Sequence, residues 1–231
     1  MKCLILASGF GTRMYPLTLN TAKALLPYKG KPVINHIVDK IPLDIEIMVN
    51  VNKKFEIDFY EWQQKQERKI TICVEEVYSD EQKLGAIGSL NHWIREKNIE
   101  EDLLLFGSDN YFEFDLNKFI AAFDGEHILV AVHDLGDPKK ATQYGVVKVG
   151  GMRIIELEEK PVQPRSSLIA TACWIIPKRV FPLISEFSQG TKRDNLGSFI
   201  TFLIGKDHAH AYLFNERWID IGNIDIYNAT K

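Results

Sequence analysis

The first 27 residues constrain the fold of this chain more than any other segment. An apolar run, Cys3 to Leu6, passes directly into Ala7-Ser8-Gly9-Phe10-Gly11-Thr12-Arg13, then Pro16-Leu17-Thr18 and Lys23-Ala24-Leu25-Leu26-Pro27. A short buried strand that ends in glycines can turn its backbone N–H groups toward an anion. Glycine tolerates the dihedrals such a turn needs and lets the anion approach closely. Arg13 and Lys23 add positive charge to the same cradle. Gly-x-Gly alone marks many strand-to-helix turns that bind nothing. Here strand, glycines, arginine, proline and lysine follow in one order.

Beyond this segment, short apolar runs alternate with longer amphipathic stretches. Cys3–Leu6, Ile45–Asn50, Ile70–Val74, Leu103–Phe106 and Ile128–His133 read as strands, several without polar alternation, as expected when both faces of a sheet are covered. Val33–Ile41, Lys54–Glu67, Ile87–Lys97 and Leu116–Phe123 carry helical spacing. Strand then helix, repeated, implies an α/β fold with a mostly parallel sheet. After Val132 the pattern changes to Gly145–Val149, Ile154–Glu158 and Ala170–Ile176, hairpin-like material broken by Gly150-Gly151 and by Pro161 to Pro164. Helical spacing returns at Pro177–Phe187 and Leu196–Ile204, and a late strand is expected at Ala211–Phe214. No linker or repeat divides the chain. The expectation is one domain over 1–231, with a mostly parallel part at 1–132 and a β-rich part at 133–231.

The formal net charge of −3 in 231 residues supplies no general attraction for nucleic acid or an anionic membrane, so any positive potential must be local. Cys3, Cys73 and Cys173 sit in apolar strand-like runs with no Cys-x-x-Cys spacing, which reads as buried free thiols in a reducing compartment. No apolar run reaches the roughly 20 residues of a membrane span, and the N-terminal run is too short for a signal peptide. A cytoplasmic location is the default expectation. His133, His208 and His210 flank strands, at spacings that suggest neither a metal site nor a catalytic triad.

In open α/β sheets ligands bind beyond the carboxyl ends of the strands. Leu103-Leu104-Leu105-Phe106-Gly107-Ser108-Asp109-Asn110 places Asp109 there, and Trp218-Ile219-Asp220-Ile221-Gly222 holds a second aspartate in an apolar segment. Two carboxylates and a substrate phosphate are the usual partners of Mg2+, which dehydrates reluctantly. Taken alone, Asp109 could equally cap the turn that follows it.

Together these segments resemble the sugar-1-phosphate nucleotidylyltransferases, whose opening reads Leu-Ala-Ala-Gly-x-Gly-Thr-Arg-Leu-x-Pro-Leu-Thr followed by Pro-Lys-x-Leu-Leu-Pro. Ser8, Met14 and Ala22 depart from that pattern without removing a charge or a cradle glycine. The resemblance extends through Gly-Ser-Asp-Asn, Glu158-Glu159-Lys160-Pro161 and Trp-Ile-Asp-Ile-Gly, in family order, to about Ala229. It implies a three-layer Rossmann-like nucleotidyltransferase fold with a smaller β-rich part that binds the acceptor.

The resemblance also implies a site. Ala7, Gly9, Gly11, Thr12, Arg13 and Lys23 would bind the nucleotide, with Gly85 of Leu84-Gly85-Ala86-Ile87-Gly88 positioning the base and Gln82 offering it an amide. Asp109 and Asp220 would hold Mg2+. Tyr144, Gly145, Glu159, Lys160 and Thr171 would bind the sugar phosphate, and Arg13, Lys23 and Asp109 would carry catalysis. Ser108 replaces a family glycine beside the metal, and Ala172 replaces one beside the sugar.

The expected partners are a nucleoside triphosphate and a sugar 1-phosphate, with dTTP or UTP and glucose 1-phosphate the commonest pairing. A homo-oligomer is left open. Cytidylyl or guanylyl transfer to another sugar phosphate or a phosphocholine-like acceptor, and a silent sugar-nucleotide-binding regulator, are the alternatives. A dinucleotide-dependent dehydrogenase is excluded, because Met14 stands where Gly-x-Gly-x-x-Gly needs its third glycine.

Overall fold

Apolar β-forming runs and helical-period runs become alternating strands and helices in the computed structural model, which describes residues 1–190 and 195–230. In chain order the elements are β1 (Lys2–Leu6), β2 (Pro27–Tyr28), β3 (Lys31–Pro32), α1 (Asn35–Val38), β4 (Glu46–Asn52), α2 (Glu56–Gln63) and β5 (Ile70–Glu75). Then follow α3 (Ala86–Glu96), β6 (Leu103–Gly107), β7 (Asn110–Phe112), α4 (Leu116–Ala121), β8 (Ile128–Asp134), β9 (Gly145–Gly150) and β10 (Arg153–Glu159). The chain continues through β11 (Leu168–Ile176), α5 (Phe181–Ser188), α6 (Leu196–Ile204), β12 (Ala209–Phe214), β13 (Trp218–Asp220) and α7 (Ile224–Thr230). The result is an α/β fold with a mixed sheet.

Two compact units interleave in sequence. One comprises Met1–Lys83, Leu105–Glu113 and the chain from Arg217 onward; the other comprises Leu84–Leu104 and Phe114–Glu216. Residues 105–113 and 217 onward therefore join the first unit.

In the first unit β4 runs parallel to β1 on one side and to β5 on the other, with Met48 opposite both Leu4 and Thr71. Cys3, Leu4, Ile5, Ile47, Val49 and Val51 are wholly buried, as their unbroken apolar runs require. The helix expected over Val33–Ile41 contracts to α1. The backbone turns away after Val38, and the Arg68 guanidinium satisfies the carbonyls left over, donating to Val38, Ile41, Pro42 and Ile45.

In the second unit β8 is central. β12 lies parallel to it, with Ala211 opposite Val130, and β11 lies antiparallel, with Ile175 opposite Leu129. β10 pairs antiparallel with β12 and β9, and β9 returns to β11. Trp174 and Phe199 stack in its core, where the Trp174 indole N–H donates to the Thr171 carbonyl at 2.9 Å. Cys3, Cys73 and Cys173 are buried, and burial pushes the Cys3 thiol up, so that it stays protonated and inert. Among the described residues no helix is long and apolar enough to cross a membrane.

Candidate active site

The glycine loop leaves the carboxyl end of β1 and is pinned from β4. The Ala7 N–H donates to the Asn50 carbonyl at 2.8 Å, and the Asn52 amide donates to the Ser8 carbonyl at 2.9 Å. Gly11 takes φ +64°, a left-handed conformation that side chains rarely adopt, and begins a 3-10 turn over Thr12–Met14. A Cβ on Gly11 would also lie 3.1 Å from the Thr18 methyl. Thr18 is fully buried and its hydroxyl donates to the Gly11 carbonyl at 2.7 Å, closing the loop on itself. Gly9 faces open space, and Thr12 and Arg13 are exposed.

β6 ends beside β1, where the Ser108 N–H donates to the Leu6 carbonyl at 3.0 Å. The chain then turns through Asp109 into β7, which pairs antiparallel with β13, setting Asp220 opposite Asn110. The Ile221 N–H donates to the Asp109 carbonyl at 2.9 Å. Backbone segments 111 positions apart in sequence thus meet, the Asp109 carbonyl taking the N–H of the residue after Asp220. The Lys23 ammonium forms an ion pair with Asp109 Oδ2, and the Asn110 amide donates to Asp109 Oδ1 at 2.9 Å. The Trp218 indole in turn donates to Asn110 Oδ1 at 2.9 Å and fixes that amide. Burial opposes ionisation of Asp109, but Lys23 and Asn110 outweigh it and hold the carboxyl below the usual carboxylate range.

Asp109, held ionised, and Asp220, set opposite the next residue Asn110, are carboxylates of the kind a hard divalent cation takes. Gly222 keeps one side of Asp220 clear, since a Cβ there would lie 3.1 and 3.3 Å from its two oxygens. Ser108, which replaces the family glycine, is almost completely buried.

A small core backs all three segments. Met14 from the loop, Leu26 and Tyr28 from the stretch after Lys23, Tyr111 from β7, and Ile221 and Tyr227 beyond β13 pack together with Val33. The Tyr227 hydroxyl donates to the Pro27 carbonyl at 2.6 Å.

The residues expected to bind the sugar phosphate lie in the second unit. β9 and β10 pair Gly145 with Glu159, and the Lys160 N–H donates to the Tyr144 carbonyl at 2.9 Å. Lys160 takes φ +48°, which turns the chain out of β10. Its ammonium stands 4.0 Å from the Glu159 carboxylate. Tyr144, Gly145, Glu159 and Lys160 are therefore together. Thr171 is close by in β11, where Ala170 pairs with Gly145, but its buried hydroxyl donates to the Ala131 carbonyl at 2.8 Å. Its side chain is thus committed to the sheet.

Gly197, in the first turn of α6, escaped the sequence reading. A Cβ there would run into Glu159 Oε2 and lie 3.2 Å from Asn195 Oδ1. The end of a glutamate side chain moves cheaply, so Gly197→Ala is expected to leave the melting temperature within about 2 °C while displacing Glu159. KM for the acceptor should rise roughly tenfold, equivalent to about 1.4 kcal/mol, with kcat held. Thermal melts and initial-rate kinetics on the variant check both halves.

Gln82 ends a 3-10 turn in the first unit and spends its Oε1 on the Tyr78 N–H at 2.9 Å. Gly85 precedes α3 in the second unit with φ +79°, and its carbonyl accepts the first-turn Ser89 N–H. Thr18, Asn110, Trp218 and Gly197 are the supporting residues that no side-chain chemistry announced. Asn110 and Trp218 lay inside recognised motifs, whereas Gly197 carried no signal.

The nucleotidyl transferase family model matches residues 2–231. The chain is 29% identical to the bifunctional protein GlmU of Methanocaldococcus jannaschii, covering 100% of this chain and 54% of that protein. It is also 29% identical to the UTP–glucose-1-phosphate uridylyltransferase AglF of Haloferax volcanii, covering 78% of this chain and 74% of the relative. A Bacillus anthracis protein provisionally named a glucose-1-phosphate thymidylyltransferase, crystallised with sucrose, superposes with a TM-score of 0.86 at 26% identity, covering 100% of this chain and 93% of that one. The chain spans about half the length of several of the curated relatives it matches. With a family model covering nearly every residue, the chain belongs to the nucleotidyl transferase family.

Proposed function

We propose that this protein transfers a nucleotidyl group from dTTP or UTP to glucose 1-phosphate, with Mg2+, releasing pyrophosphate and a nucleotide sugar. The observation that carries this reading is the β7–β13 ribbon, which sets Asp220 opposite Asn110, the residue after Asp109, with Lys23 paired to Asp109. The relatives named for uridylyl and thymidylyl transfer to glucose 1-phosphate support the choice of substrates.

The nucleophile is a phosphate oxygen of the sugar 1-phosphate, already an anion near neutral pH, so no general base is needed. It attacks the α-phosphorus in line while pyrophosphate leaves. Positioning and charge neutralisation then supply the rate enhancement. Exposed Arg13 steadies the β- and γ-phosphates, the glycine-loop N–H groups face the triphosphate, and Lys23 reaches the α-phosphate. Lys160 holds the acceptor phosphate, and Glu159 accepts from sugar hydroxyls. Asp109 and Asp220 are the residues that would hold Mg2+, which when bound offsets charge on the phosphoryl oxygens.

The test is a panel of nucleoside triphosphates against sugar phosphates and phosphocholine, read by pyrophosphate release. The highest kcat/KM is expected for dTTP or UTP with glucose 1-phosphate. A best rate with CTP or GTP, or with phosphocholine, would replace the substrates and keep the chemistry; no release with any pair would leave a binding protein.

A further inference from the structure

Four residues of the second unit that the nucleotide chemistry does not use come together ahead of β8 and along β12. Because β12 lies parallel to β8 with Ala209 opposite Ile128 and His210 opposite Leu129, His208 and His210 arrive beside His127. The His127 and His210 rings stack with centroids 4.5 Å apart, and His127 and His208 stack at 5.5 Å. Asp124 Oδ2 stands 2.8 Å from His127 Nδ1 and 3.2 Å from His210 Nδ1. The other oxygen of Asp124 accepts the Glu126 and His127 N–H groups at 2.8 and 2.9 Å, which locks the turn and aims Oδ2 at the imidazoles.

One carboxylate oxygen and two imidazole nitrogens, all within 4.8 Å of one another, make a three-donor set. Zinc bonds to such donors at about 2.0–2.2 Å, which places tetrahedral neighbours roughly 3.3 Å apart. The two carboxylate–imidazole separations, 2.8 and 3.2 Å, reach that value with shifts of tenths of an ångström. The spacing of His133, His208 and His210 suggests no metal site; strand pairing, not local spacing, brings His127 beside His210.

We propose that Asp124, His127 and His210 bind one divalent transition-metal ion, zinc best matching a two-histidine, one-carboxylate set, with the fourth position left to water. The ion would clip the turn before β8 to β12. None of the three residues belongs to the nucleotide or sugar-phosphate set, so the site stands independently of the proposed reaction.

The experiment uses the full chain, stripped of metal and held in millimolar Mg2+ to occupy the paired aspartates, titrated with Zn2+ and separately with Co2+ as a spectroscopic probe. The expected result is one tightly bound Zn2+ per chain, a raised melting temperature, and an intense visible Co2+ band of tetrahedral type. His210→Ala and Asp124→Asn should each weaken zinc binding at least tenfold and abolish that band while leaving pyrophosphate release unchanged. Equal zinc affinity in wild type and both variants, or a weak octahedral Co2+ spectrum, would overturn the proposal and leave Asp124 a hydrogen-bond acceptor for the two rings. Should a variant fail to fold, the wild-type Co2+ spectrum and zinc stoichiometry decide alone.

Discussion

Replacing Asp109 by asparagine is expected to lower kcat for pyrophosphate release about a thousandfold, roughly 4 kcal/mol of transition-state stabilisation. The amide is nearly isosteric, so the turn from β6 into β7 and its bond to Ile221 persist. What disappears is the formal negative charge at Asp109 Oδ2, the atom paired with Lys23. A hard cation loses a ligand at that point, and Lys23 is left beside a neutral amide. Lys23 and Arg13 still attract the triphosphate, so KM for the nucleotide should change only a fewfold and the loss should fall on turnover. Raised Mg2+ should recover part of it.

Stability gives an independent reading of the same carboxyl. Its pKa in the folded chain lies below the unfolded value of 3.8, so its contribution is present above that value and lost as pH falls through the folded one. Wild type and Asp109→Asn should therefore differ in urea midpoint near neutrality and converge in acid. Near-normal kcat in a folded variant would remove Asp109 from the metal-binding role.

How much of this site the sequence disclosed depended on how local each signal was. Leu196–Ile204 is helical over the full expected span, because a 3.6-residue apolar period and the Asn195 cap sit in one continuous stretch. The strand before Asp109 was legible for a similar reason, since four fully buried residues in a row, Leu103 to Phe106, permit little else. The β7–β13 ribbon was not. Each partner is three residues long and the two are separated by more than 100 positions, so no periodicity within either segment encodes the pairing. Trp218 and Asn110 were recognised as motif letters, but their hydrogen bond to each other is a product of the fold. Glu159 and Gly197 show the converse limit, because a close approach between a β10 side chain and an α6 backbone leaves no trace in the composition of either. The histidines failed in the same way, their grouping being set by the register of β12 on β8.

Ile221→Ala should couple the stability of the first unit to its chemistry. Ile221 is fully buried between Asp220 and Gly222, in the same core that holds Met14 of the glycine loop, Leu26 near Lys23 and Tyr111 of β7. Truncation to alanine removes three carbons from a site whose neighbours are anchored by separate hydrogen bonds, including the Tyr227 hydroxyl to the Pro27 carbonyl and the Ile221 N–H to the Asp109 carbonyl, so collapse into the void is limited. A loss of about 3 to 4 kcal/mol of unfolding free energy follows, within the range for large-to-small changes in cores. Ile221→Val, which removes one methyl group, should cost about 1 kcal/mol.

The informative comparison is activity measured well below the melting temperature, where both variants are folded. If the small core fixes the position of Asp220, Ile221→Ala should still lose about tenfold in kcat in the folded state, because a side chain displaced by part of an ångström misaligns a metal ligand. Ile221→Val should stay near wild type. Full kcat in folded Ile221→Ala would mean that the ribbon hydrogen bonds alone hold the aspartates, and that the core beneath them serves stability only.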